Sequence, residues 1–211
     1  MRTRKRFRYW LIGFVLCAAA VVVCIAYIDR PVADFMDTHL HQTRVFFWFA
    51  RALDPLVAAV VLGLFFLVVT GCWLLAGHRL SSWTQTPLLC SWSMVWALSS
   101  VVVLKRIFGR YSADPDYVQD RIYGFDWLHG VHGRDAFPSG TTAVAAAILI
   151  VLWIRIPRLR AVWAAMLALI AAGLVATNYH FVADVIGGAF LGVSIAWMTV
   201  LLLQAAPSSE K

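Results

Sequence analysis

Six long apolar runs, each near the length that crosses a lipid bilayer, alternate with more polar segments along the chain. A hydrocarbon core about 30 Å thick needs about 20 apolar residues in a helix. The runs lie at Tyr9–Ile28, Pro55–Gly77, Pro87–Leu104, Ser139–Ile154, Ala161–Asn178 and Phe181–Leu203. The pattern therefore predicts an all-α fold, an integral membrane bundle of six transmembrane helices, in which residues 1–211 form a single domain.

Two segments between these runs have a different pattern. Pro31–Leu53 carries Phe35, Phe46 and Phe49 at helical spacing beside charged residues, which is typical of an amphipathic helix lying in the membrane interface. Lys105–Phe137 is long, polar and rich in Gly, Asp, His and Arg. Because loops of that length are usually functional, we expect the chemistry of the protein to lie there and at the helix ends beside it.

Composition and charge agree with a membrane location. The chain is 62% hydrophobic and only 14% charged, whereas soluble domains are about 25% charged. The net charge of +7 comes from basic residues that flank helices on the side holding both termini. Cytoplasmic loops and anionic headgroups explain such residues, so we expect no nucleic-acid partner. The predicted location is a bacterial-type inner membrane, with both termini cytoplasmic and the acidic loops outside.

Polar residues converge at the outer ends of the last four predicted spans. His180 and Asp184 are four residues apart at the start of a helix, so they share one face. A carboxylate there fixes the imidazole tautomer and leaves the other ring nitrogen free to attack. An interfacial histidine with a capping aspartate is the alternative interpretation of the pair alone.

Two further features at this face suit an anion. Ser139 and Gly140 follow a proline at a helix start, where free N–H groups and the helix dipole favour phosphate. Lys105 and Arg110 lie where they could clamp phosphate oxygens. Each feature has an ordinary alternative, a plain helix start or a cation extending to the interface. Together with an oriented histidine they predict phosphoryl transfer.

These residues carry a resemblance to the type 2 phosphatidic acid phosphatase (PAP2) superfamily of membrane lipid phosphatases. The family pattern is K-x6-R-P, then P-S-G-H, then S-R-x5-H-x3-D. The match runs from Lys105 to Gly192, and its closest parts are Pro138-Ser139-Gly140 and the segment from His180 to Gly188. The resemblance implies a six-helix fold, His180 as a nucleophile that forms phosphohistidine, and Asp184 as its orienting partner. It also implies no metal and no cofactor.

The phosphate would be held by residues of the first two motifs. The resemblance assigns this substrate-binding role to Lys105, Arg110, Ser139, Gly140 and Thr141.

Three positions depart from the family pattern. The general-acid histidine of the second motif is Thr141, and the Ser-Arg of the third motif falls on Gly173-Leu174. The Arg-Pro of the first motif falls on Ser112-Ala113. Loss of general-acid catalysis typically costs about 10²–10⁴-fold. A diphosphate substrate would depend less on that proton, because its leaving group is a phosphate.

Nearby residues offer compensation. His129 or His132 could replace the missing acid, Arg134 could replace a clamp, and Asn178 could donate to a phosphate oxygen. The alternative for each is an ordinary loop residue.

Two functions follow from these observations. The first is a phosphatase or phosphotransferase that acts on a lipid phosphate at the outer face: a polyprenyl diphosphate, phosphatidic acid, phosphatidylglycerophosphate or a lipid A phosphate. The second is a catalytically impaired scaffold of the same family that binds or transports a lipid phosphate. The sequence leaves the lipid, the acceptor of the phosphoryl group and the oligomeric state open.

Overall fold

The computed structural model describes residues 2–40, 54–77, 82–130 and 134–205, and within these ranges every regular element is helical. The all-α prediction is therefore confirmed. The longer helices are α1 Arg2–Val23, α2 Asp29–Leu40, α3 Asp54–Leu75, α4 Ser82–Phe108, α5 Gly140–Arg155, α6 Arg160–Ala176 and α7 Val182–Ala205.

Each predicted span coincides with a helix, and four stretches are long and apolar enough to cross a bilayer. These are Arg4–Leu40, Gln85–Phe108, Pro157–Ala176 and Val182–Leu202. Gly140–Arg155 and Gly63–Trp73 form shorter apolar helices among the described residues. The protein is thus a helical membrane protein, and the count of six spans stays a prediction.

The first helix is longer than predicted. A π-helical turn at Cys24–Ile28 joins α1 to α2, and Asp29 donates its N–H to the carbonyl of Cys24 across it. Residues 31–40 of the predicted interfacial helix therefore continue the first span as part of α2. Residues 41–53 of that prediction lie outside the described residues, so an interfacial helix stays a prediction.

Helix α7 packs closely against the start of α5. A Cβ added to Gly188 would lie 2.4 Å from the carbonyl oxygen of Ser139, and one added to Gly192 would lie 2.2 Å from that of Ala143. Small residues let helix backbones approach this closely, which is a common way of packing helices in membranes. Glycine in the third motif therefore allows it to lie directly against the second motif.

The long loop after α4 folds back over the end of that helix. Backbone hydrogen bonds join Asp126 N–H to the Gly109 carbonyl and Leu128 N–H to the Ile107 carbonyl, both at 2.8 Å. Gly109 has φ +54°, and a Cβ on it would lie 1.9 Å from the Asp126 carbonyl oxygen. This close return, which needs glycine, turns the next residue, Arg110, into the protein interior.

Candidate active site

His180 and Asp184 lie together where α7 begins. His180 belongs to the turn before α7, and Asp184 is in the first turn of that helix. The Nδ1 atom of His180 is 3.6 Å from Oδ2 of Asp184, longer than a hydrogen bond but within the range of an ion pair. The same Oδ2 accepts the N–H of Phe181 at 2.9 Å. Both side chains are almost fully buried.

Ser139 ties this pair to the start of α5. Its N–H donates to the main-chain carbonyl of Asp184 at 3.0 Å. Its hydroxyl caps α5 by accepting the N–H of Thr142 and also contacts the Thr142 hydroxyl at 2.9 Å. Ser139 is fully buried, whereas Gly140 and Thr141 are half-buried. The predicted anion site is thus a capped helix start that touches the histidine–aspartate segment.

Lys105 reaches the same helix start. A Cβ added to Gly140 would lie 4.0 Å from Cε of Lys105. The ammonium group is 3.4 Å from Oδ2 of Asp135, and both side chains are partly exposed. A continuous series of contacts therefore links Lys105, Gly140, Ser139, Asp184 and His180.

Arg110 is buried between two carboxylates. Its side chain has no exposed area. One terminal nitrogen donates to Oδ1 of Asp184 at 2.5 Å, and the other donates to Oδ2 of Asp29 at 2.6 Å. Both terminal nitrogens of the guanidinium thus bind carboxylates, and phosphate binding by Arg110 stays a prediction.

Charge and burial act in opposite directions on Arg110. Burial alone would lower the pKa of the guanidinium, but the carboxylates of Asp184 and Asp29 outweigh it and raise that pKa. Burial raises the pKa of the neighbouring Tyr123 to about 12, only partly opposed by the charge of Arg110. Tyr123 therefore stays neutral, donates to the Ile25 carbonyl at 2.9 Å and accepts from Arg110 at 3.0 Å.

The predicted compensating residues have other partners. Arg134 forms an ion pair with Asp126. His129 is highly exposed and lies 3.4 Å from the same carboxylate. Asn178 is buried and donates its amide to the Ala33 carbonyl at 3.1 Å, so the structure does not support its expected donation to phosphate. His132 lies outside the described residues.

Two residues that depart from the family pattern, Leu174 and Thr141, can be located in the structure. Leu174 is fully buried, and its carbonyl accepts the N–H groups of Tyr179 and His180 at 3.0 and 3.1 Å. An apolar side chain thus occupies the place where the family has a cation. Thr141 follows Gly140 in the first turn of α5, at the place of the family's general acid.

Asp29 is the residue that sequence reasoning missed. It directly follows the first predicted span, it is buried, and its Oδ1 accepts the N–H of Ala183 at 3.0 Å. The sequence did contain a signal for it, because an ionisable residue at the end of an apolar run is a candidate functional residue.

Comparison with known proteins identifies the family. The PAP2 superfamily model matches residues 86–207. Among solved structures, the chain is similar to the first transmembrane PAP2 type phosphatidylglycerolphosphate phosphatase from Bacillus subtilis, with a TM-score of 0.55, 15% sequence identity, and coverage of 96% of this chain and 98% of that chain. No curated protein matches the chain. The family match, which covers more than half of the chain and all three motif regions, shows that this protein belongs to the PAP2 superfamily.

Proposed function

We propose that this protein is a lipid-phosphate phosphatase or phosphotransferase that works through a phosphohistidine at the outer face of a bacterial-type inner membrane. Family membership supports a membrane lipid phosphatase in general. The basic flanks of the first helix support cytoplasmic termini. That orientation would put the start of α7, and with it His180, on the outer side.

The observation that carries the proposal is the position of Asp184. Its Oδ2 atom is 3.6 Å from Nδ1 of His180, and its main-chain carbonyl is held by Ser139 N–H. A small closure would give the hydrogen bond that sets the tautomer, and catalytic hydrogen bonds are often long before substrate binds. The Nε2 atom of His180 is then the nucleophile beside a helix start that favours anions.

The chemistry follows from these positions. Nε2 of His180 attacks phosphorus, the bond from phosphorus to the leaving oxygen breaks, and that oxygen takes the electron pair. Lys105 and the N-terminus of α5 would neutralise charge on the phosphoryl oxygens. The oxygen of water or of a second lipid hydroxyl then attacks the phosphorus, and the bond from phosphorus to Nε2 breaks with its electron pair returning to the imidazole. The attacking oxygen gives its proton to solvent or to the departed oxygen.

Thr141 favours a diphosphate among the candidate substrates. A threonine hydroxyl is a poor proton donor, so an alkoxide leaving group would depart without general-acid help. When a polyprenyl diphosphate is attacked at its terminal phosphorus, the leaving group is a lipid monophosphate, which needs no such proton. The lipid chain has a place nearby, because an apolar cavity of about 550 Å³ lies between α1 and α7 and is lined by Pro138 and Phe137.

Phosphate release from a lipid panel tests the proposal. The purified full chain in detergent is given a polyprenyl diphosphate, phosphatidic acid, phosphatidylglycerophosphate and a lipid A phosphate. We expect release from at least one lipid, fastest from the diphosphate, and none from His180→Ala. His39→Ala is the matched control, because His39 is exposed and its ring contacts only its own helix in the described residues. Release that survives His180→Ala would rule out the assigned nucleophile.

An impaired scaffold is the second candidate. Leu174 in place of a cation and Thr141 in place of the acid favour it. It predicts binding of the same lipids without release by the wild type. Retention of His180 and Asp184 argues against it, since phosphate binding alone does not need that pair.

A further inference from the structure

Two clusters of similar composition join α2 to the loop that follows α4. In each, an aspartate of α2 binds an arginine and a tyrosine of the loop. Asp34 pairs with Arg121 and accepts from the Tyr117 hydroxyl, and the side chains of this ion pair are half-exposed. Asp29 pairs with Arg110 and lies 3.2 Å from the Tyr123 hydroxyl, and this ion pair is fully buried.

The buried cluster alone extends to the candidate active site among the described residues. Arg110 bridges Asp29 and Asp184. Asp29 also accepts the N–H of Ala183 in the first turn of α7. Its position depends on the π-helical turn just before it, and the Ile25 carbonyl of that turn is satisfied by Tyr123. Such turns often mark functional sites in helices.

The charges of this cluster do not cancel. One guanidinium faces two carboxylates, so the cluster holds one surplus negative charge in a place without solvent. If Arg110 faced Asp184 alone, the pair would be neutral and would attract a proton on His180 only weakly. With Asp29 as the second counter-ion, Asp184 keeps negative character on Oδ2, the oxygen next to His180 Nδ1.

We propose that Asp29 and Arg110 are positioning residues for the candidate nucleophile, holding Asp184 so that a proton stays on Nδ1 of His180 and Nε2 is free. This rests on the proposed function of His180. It assigns a role in the site to a residue of the first helix, outside the segment that the family model matches. It also replaces phosphate binding as the role of Arg110.

Steady-state kinetics separate the two roles of Arg110. We expect Asp29→Asn to lower kcat about 10- to 100-fold, by analogy with the loss of an outer partner of a metal-binding histidine, and to leave KM nearly unchanged. Asp34→Asn is the matched control, the same change on the same helix with the same kinds of partner, and should alter neither constant. If Arg110 binds phosphate, Asp29→Asn frees it and KM falls while kcat holds. That result overturns the proposal.

A double variant guards against loss of folding. Removing one partner of a buried ion pair leaves an uncompensated charge. Arg110→Gln alone leaves two buried carboxylates without their counter-ion, whereas adding Asp29→Asn leaves only that of Asp184. Asp29→Asn combined with Arg110→Gln should therefore unfold at a higher temperature than Arg110→Gln and have a higher kcat. A double variant with a kcat no higher than Arg110→Gln contradicts the view that an unpaired Asp29 carboxylate displaces Asp184.

A measurement of the His180 tautomer does not depend on turnover, so it tests this inference separately from the proposed function. In protein labelled with ¹⁵N-histidine, the His180 signals are assigned by their loss in His180→Ala. We expect Nδ1 to carry a proton in the wild type and in Asp34→Asn, and the other tautomer to gain population in Asp29→Asn. An unchanged tautomer in Asp29→Asn refutes the positioning role. Absence of phosphate release from every lipid, with the tautomer shifted as expected, refutes only the proposed function.

Discussion

Gly188→Ala adds one methyl group where α7 crosses the start of α5. The new Cβ would lie 2.4 Å from the Ser139 carbonyl oxygen, and real Cβ atoms essentially never come within 3.0 Å of such an atom. The Cβ is fixed to the backbone of α7 and the oxygen belongs to the backbone at the start of α5, so neither can rotate away. Helix α7 must therefore shift by at least about 0.6 Å, and overpacking of this kind costs about 1–3 kcal/mol. Asp184 lies one helical turn earlier, and its hydrogen bond with Ser139 N–H would lengthen from 3.0 Å.

We expect two measurable effects of Gly188→Ala. The midpoint of thermal unfolding in detergent falls, and kcat/KM for phosphate release drops about 10- to 100-fold, because a displacement near 1 Å can cost about 10²-fold in rate. Gly71→Ala in α3 is the matched control, since a Cβ there meets no atom within 4 Å. Replacing a helical glycine by alanine at an open position should raise stability by about 0.5–1 kcal/mol. Equal stability and activity of the two variants would refute the idea that glycine-dependent contact positions the site.

Two further substitutions test the chemistry. Thr141→His restores an imidazole at the general-acid position and should raise phosphatidic acid hydrolysis about 10²-fold or more while changing polyprenyl diphosphate hydrolysis little; an equal rise for both lipids would contradict the leaving-group argument. Lys105→Met should raise KM about tenfold, the value of one charge-assisted hydrogen bond. Asp135→Asn should lower KM, because Asp135 lies 3.4 Å from the Lys105 ammonium and competes with substrate for it. Saturation curves for phosphate release measure both, and an unchanged KM in Lys105→Met would remove that residue from the phosphate site.

Local sequence signals predicted the last helices well. The predicted span Ser139–Ile154 and the observed helix Gly140–Arg155 differ by one residue at each end. A proline, a capping serine and a glycine mark that start, and an apolar run sets the length. The first predicted span ended at Ile28, whereas the helix continues through Asp29-Arg30-Pro31 to Leu40. A π-helical turn at Cys24–Ile28 joins the two parts, and the buried Asp29 carboxylate that follows it is paired with Arg110.

Some contacts of the candidate site could be predicted from the local sequence, and others could not. Proximity of His180 and Asp184 follows from their spacing of four residues, although His180 lies on a turn and not within the helix. The membership of the PAP2 superfamily was also predicted from motif order. The partners of Arg110 were not, because Asp29 is 81 residues away along the chain and no local pattern records that pairing.

The sequence by itself determined the membrane class, the helices and the three motifs, because apolar length and helix-start residues act over a few neighbouring positions. The tertiary structure decided which charged groups meet. Glycine packing brings α7 onto α5, and the returning loop carries Arg110 into the interior, away from water. A buried guanidinium requires carboxylate partners, and here these are Asp29 and Asp184. That long-range pairing, which the spacing of residues does not show, is the basis for the positioning role that we propose for Arg110.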